Sequence, residues 1–218
     1  MKKMKMFLLI LSLSGFGFIN AQHAQPEFSD IMTRAYTSLQ DAESPQDLVN
    51  ARNTMERISM KFTDQWLPVY YTGYVDIILS FVNENKETKL TYITEAKELA
   101  KKLNNYPDAD KSEVSTLAGF ALNAQVAADP ENNGPALFGE LIGAYKAAIA
   151  IDPSNPRPVY LLARFNRDMA KFMGQASPEF CKELLKAKEL YEARKDKPFY
   201  PSWGKEEVTR LLLECDKQ

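Results

Sequence analysis

The chain has 218 residues, of which 45% are hydrophobic and 26% charged, and its net charge is −2. That length accommodates one substantial core or one elongated array, and the composition excludes wholesale disorder. The mild acidity excludes sequence-independent nucleic-acid binding, which needs a concentrated positive surface.

Taken in order, the chain opens with Lys2, Lys3 and Lys5, an apolar run from Met6 to Phe18, and the small residue Ala21. This pattern predicts a secretory signal peptide over residues 1–21, cut near Ala21. The run is too short to span a bilayer comfortably. No Cys follows it to carry a lipid anchor, and no long apolar segment comes later. Residues 22–218 are therefore expected to form one exported domain, periplasmic or secreted, with no stable membrane insertion. Removing the leader also removes three lysines and leaves the remainder more acidic.

Helices follow from caps and apolar periodicity. Phe28, Ile31, Met32, Ala35 and Leu39 form one stripe over 26–41. Ser44-Pro45 opens the next helix as a cap followed by a first-turn proline, with Asp47 in the first turn. Helices are predicted over 66–82, 90–104, 110–128, 136–151, 157–173, 178–194 and 203–215. The breaks between them include Tyr106-Pro107-Asp108, Asn132-Asn133-Gly134-Pro135 and Asp152-Pro153-Ser154-Asn155-Pro156. The count is about nine helices and no strand.

A 45-residue beat runs through this pattern. Pro68-Val69-Tyr70-Tyr71-Thr72-Gly73 returns as Glu113-Val114-Ser115-Thr116-Leu117-Ala118 and again as Pro158-Val159-Tyr160-Leu161-Leu162-Ala163. A second register pairs Tyr145, Ala148 and Pro153 with Leu190, Ala193 and Pro198. Self-similarity at this period predicts an α-solenoid of antiparallel helix pairs, each burying its apolar face against its neighbours. Cys181 and Cys215 lie equally far on either side of Pro198. A helical hairpin turning at Pro198 would bring the two thiols together, and export favours a disulfide over two separate buried thiols.

The stretch from Tyr145 to Ala163 resembles the tetratricopeptide repeat family. Tyr145, Ala148 and Pro153 match the end of one helix, and Val159, Leu162 and Ala163 match the start of the next. The family's period is roughly 34 residues, shorter than the beat here, so its superhelix curvature does not carry over. The period combined with an Ala-Gln export boundary also resembles exported repeat proteins of Bacteroidetes-type bacteria. The resemblance implies a concave face that binds protein or peptide. Carried over by position, that face includes Tyr70, Tyr74, Asn123, Tyr160, Arg164, Arg167 and Lys171. Arg157, Arg164, Arg167 and Lys171 fall near one helical face, where they either clamp an acidic partner or form a solvated basic stripe.

Chemistry is hard to assemble from these residues. The only His is His23, just past the expected cut, which removes most Ser-His and Cys-His arrangements. Two cysteines far apart do not make a zinc site, and Gly134, Gly139 and Gly143 do not form a phosphate loop. Neither a catalytic residue, a metal site nor a cofactor is expected. The sequence therefore points to a non-catalytic scaffold for a protein or peptide partner. An α/α-type enzyme acting on envelope glycans and a self-associating structural module are the alternatives.

Overall fold

A computed structural model describes residues 26–195 and 197–215. The expected leader and His23 lie outside the described residues. The helices are α1 (Pro26–Gln40), α2 (Pro45–Lys61), α3 (Trp66–Val82), α4 (Lys86–Lys102), α5 (Lys111–Ala128), α6 (Pro130–Ile151), α7 (Pro156–Phe172), α8 (Phe180–Ala193) and α9 (Lys205–Cys215). A 3-10 turn at Leu103–Asn105 continues α4. No strand occurs among the described residues, so the all-α expectation holds.

Local chemistry explains where most helices begin. Ser44 and Asp47 form a capping box ahead of α2, each side chain taking a backbone N–H that the helix leaves unpaired. Asn85 caps α4, Asp110 caps α5 and Asn155 caps α7 in the same sense. The Asn85 cap also shows why α4 starts at Lys86 although the stretch to Thr88 carries no apolar residue. Residues 132–135, expected as loop, are helical. Asp129 caps α6 by accepting from the Asn132 N–H, Pro130 takes the first turn, and Asn133 Nδ2 donates to the Gln125 carbonyl at 2.7 Å. These contacts start the helix early enough to carry Pro135 inside it.

Sequential helices pack as antiparallel pairs, and α3 also touches α5, as α5 touches α7. Helices α3, α5 and α7 thus form one row, with α1 and α9 at its ends reached through side-chain contacts such as Tyr36 with Tyr71 and Arg167 with Glu214. Val69, Val114 and Val159 are each the fourth residue of their helix and each is buried, so the sequence beat is the spacing of this row. Between rows, Gly119 lets α5 approach α6: a Cβ there would lie 2.7 Å from the Tyr145 ring. At the C-terminal end Cys181 and Cys215 are disulfide-bonded, with their Cα atoms 5.9 Å apart. The hairpin-end pairing expected from their symmetry about Pro198 is present.

Candidate binding site

The link between α8 and α9 lies across the odd-numbered row. Residues 197–204 form a strap that touches several helices in turn. Tyr71 Oη on α3 donates to the Phe199 carbonyl at 2.9 Å. Tyr36 Oη on α1 lies 2.8 Å from Ser202 Oγ. Tyr191 Oη on α8 donates to the Trp203 carbonyl at 2.9 Å. The Trp203 indole stacks on Tyr74 of α3 at 4.8 Å and on Phe120 of α5 at 5.6 Å.

Two left-handed residues shape this segment. Phe199 has φ 60 and Gly204 has φ 100. A Cβ on Gly204 would lie 2.3 Å from Tyr191 Oη, so glycine is required there by both conformation and space. Phe199 is an aromatic in a region such residues rarely adopt, and the strap's contacts hold it there.

Beneath the strap sits a polar network. Glu113 and Arg157, at the first turns of α5 and α7, are both fully buried and ion-paired. Arg157 Nε donates to Glu113 Oε2 at 2.9 Å, Asn155 Nδ2 donates to Oε1 at 2.9 Å, and Tyr70 Oη donates to Oε2 at 3.2 Å. Trp203 Nε1 in turn donates to Tyr70 Oη at 3.1 Å. Burial, and then the Glu113 charge, push the Tyr70 phenol well up, so it stays protonated and donates. Burial opposes the charge on Arg157, but the Glu113 carboxylate more than offsets it and the net shift is upward. One donor is left over: Arg157 Nη1 is buried with no hydrogen-bond partner among the described residues.

Two of the cavities along the strap share a wall. One, of about 370 Å³, is walled by Tyr36, Tyr71, Tyr74 and Trp203, with Leu39, Leu48 and Ile78 completing its apolar lining. The other, of about 380 Å³, is bordered by Arg157, Arg194, Lys195, Lys197 and Lys205. Tyr36, Gln40, Ser202 and Glu206 belong to both walls, so an aromatic cleft and a basic cavity meet along the strap.

The residues expected on the binding face end up in different surroundings. Tyr74 lines the aromatic cleft. Tyr70 is buried under Trp203, and Tyr160 is buried with its Oη accepting from Arg164 Nη1 at 3.3 Å. Arg164 lies 3.8 Å from Asp168 and 3.9 Å from Glu207, while Arg167 lies 3.0 Å from Asp168 and 3.5 Å from Glu214. Lys171 is exposed and Asn123 half-buried, and neither lines the cleft. Arg157, read from spacing as part of the same basic line, is instead buried against Glu113 because it starts α7 beside the first turn of α5.

Tyr36, Trp203, Arg194, Lys197 and Lys205 were not expected at a site. The available signal was Pro198-Phe199-Tyr200-Pro201-Ser202-Trp203, an aromatic run with two prolines and no helical period.

The chain matches no protein-family model and no curated protein. Among solved structures it is similar to the HusA haemophore from Porphyromonas gingivalis, with a TM-score of 0.73 and 23% identity over 87% of this chain and 93% of that one. The likeness is one of fold. No described helix is long and apolar enough to cross a membrane, and no group of three or more His, Cys, Asp or Glu is placed to hold a metal ion among the described residues.

Proposed function

We propose that this chain is an exported, non-catalytic binding protein, and that its cargo is a flat aromatic molecule of the tetrapyrrole class held in the cleft between α1, α3 and the strap. The observation that carries this reading is the cleft itself, in which aromatic rings from three separate elements, together with Leu39, Leu48 and Ile78, wall one space of mixed apolar and polar surface. Such sites recognise ligands by burying apolar area and orienting it with a few polar groups. The fold likeness to a haemophore supports the ligand class.

The residues favour the macrocycle over any metal at its centre. The described chain has no His, Tyr36 Oη is engaged with Ser202, and burial holds the Tyr74 phenol protonated. Ring contact, not coordination, is then the source of affinity. Titrating the mature protein with haemin and with metal-free protoporphyrin, followed by tryptophan quenching, should give saturable binding of both within about tenfold of each other. Tyr74→Ala should weaken both, since an aromatic contact contributes about 1 kcal/mol beyond its area. Absence of saturable quenching by either compound removes the reading.

A peptide partner is the second reading. It is favoured by one observation: the odd-numbered row already accommodates an irregular stretch of its own chain. Such a partner would use the solvent-reachable part of that face near Asn123, Arg164, Arg167 and Lys171. An acidic segment would have to displace Asp168, Glu207 and Glu214 from the two arginines. Charge reversal at Arg167 that leaves capture of every acidic peptide unchanged would remove it.

A further inference from the structure

We infer that the basic cavity on the far side of the strap is a carboxylate-binding site, and that it holds the acid groups of the cargo whose ring occupies the aromatic cleft. The second half rests on the function proposed above; the first half stands on the cavity alone.

Three observations carry it. The first is charge. Arg157, Arg194, Lys195, Lys197 and Lys205 border this space, opposed within the wall only by Glu206. The carboxylate behind the wall, Glu113, is held by Arg157, Asn155 and Tyr70 and also lies 3.5 Å from Arg194, which leaves Lys195, Lys197 and Lys205 as the wall's cations not engaged with it. In a chain with a net charge of −2, this is a local reversal of sign.

The second is the unused donor. Arg157 has no accessible surface, and its Nη1 has no partner among the described residues. A buried donor without a partner costs free energy comparable to the desolvation of that group. A carboxylate oxygen entering from the cavity and nudging the wall side chains aside would satisfy it with a charge-assisted bond. Arg157 cannot turn elsewhere, because Glu113 holds its Nε and Nη2 and its guanidinium lies over the Trp203 ring at 5.6 Å.

The third is placement. Tyr36, Gln40, Ser202 and Glu206 are common to both cavities. A rigid molecule with an apolar plate and an acidic edge therefore meets an aromatic wall and a cationic wall at once. Arg157 joins the two, since it stacks on the Trp203 indole that walls the cleft and borders the basic space.

The test compares protoporphyrin with its dimethyl ester, and separately follows tryptophan emission on titration with phthalate, a small aromatic dicarboxylate. The variant is Lys197→Gln/Lys205→Gln, because both lysines are exposed; Lys197 Nζ also lies 4.7 Å from the Tyr200 ring centroid, so affinity for the ester serves as the control for an altered strap. The wild type should bind the free acid roughly tenfold or more tightly than the ester. The variant should lose most of that difference while its affinity for the ester stays the same. Phthalate should give a saturable emission change in the wild type that weakens in the variant, and this holds even if no porphyrin binds. Equal affinity for acid and ester, with no saturable response to phthalate, overturns the inference and leaves the ring-binding reading intact. Displacement of phthalate by an equal concentration of chloride overturns the carboxylate assignment.

Discussion

Single residues set the pH response. Asp76 on α3 is fully buried, and its Oδ1 accepts from Arg52 Nε at 2.8 Å while its Oδ2 has no partner among the described residues. Burial pushes this carboxyl up to about 7, and the Arg52 hydrogen bond only partly opposes it. The folded value lies above the ordinary 3.8, so the native chain binds this proton more tightly than the unfolded chain does. That contribution to stability is complete below the ordinary value and is lost as pH rises through about 7. The thermal midpoint of the wild type should therefore fall between pH 5 and 8 relative to Asp76→Asn, by roughly 2–4 °C for each kcal/mol lost. Parallel pH profiles for the two proteins would show that Asp76 stays ionised throughout. The same residue illustrates a limit of sequence reading. Arg52 also binds Glu56 and Glu95, and no local pattern reveals that three carboxylates from different helices converge on one guanidinium.

At the level of elements, the helices were legible because their signals are local. Caps at Ser44, Asp110 and Asn155 and the recurring Val69, Val114 and Val159 lie within a turn or two of what they specify. The strap was not legible, because its conformation depends on partners far along the chain: Tyr71 meets Phe199 and Tyr36 meets Ser202. Trp203, read as the start of a helix, stays outside α9 because its indole is committed to Tyr74, Phe120 and Tyr70. The binding face suffered accordingly, since the strap covers Tyr70 and brings in residues that repeat logic does not contain. The disulfide closes the hairpin around this strap, its cysteines standing 34 positions apart in the sequence. Loop closure of that size is worth about 3–4 kcal/mol. Cys181→Ser/Cys215→Ser should lose an amount of that order in urea unfolding. It should also weaken ligand binding in the cleft, because α8 and α9 anchor the strap at both ends. Loss of stability with unchanged binding would mean that the strap is held by its aromatic contacts alone.

For the whole molecule, the strap changes the thermodynamic character of the array. Stacked helical pairs contact only their neighbours, so their stability is approximately a sum of local terms and their ends fray independently. Here the segment joining α8 to α9 reaches back to α1 and α3 through Tyr36, Tyr71 and Trp66, the last lying edge-on to Tyr200 at 5.5 Å. The two ends of the row are thereby tied to one another, and releasing the strap takes Trp203 away from the Tyr70–Glu113–Arg157 network, which is costly to leave partly satisfied. Urea unfolding followed by far-UV ellipticity and by tryptophan emission should give coincident midpoints in the wild type. Ellipticity reports every helix, whereas emission reports the neighbourhood of Trp66 and Trp203 around the strap. Tyr36→Ala/Tyr71→Phe, which removes the strap's hydrogen bonds from Tyr36 on α1 and Tyr71 on α3 while the contacts of Trp203 and Tyr200 with α3 remain, should separate the two midpoints as the tie to α1 is lost. If the variant is merely less stable and its midpoints still coincide, the helical row is cooperative through its own packing. The strap's role would then be confined to shaping the cleft.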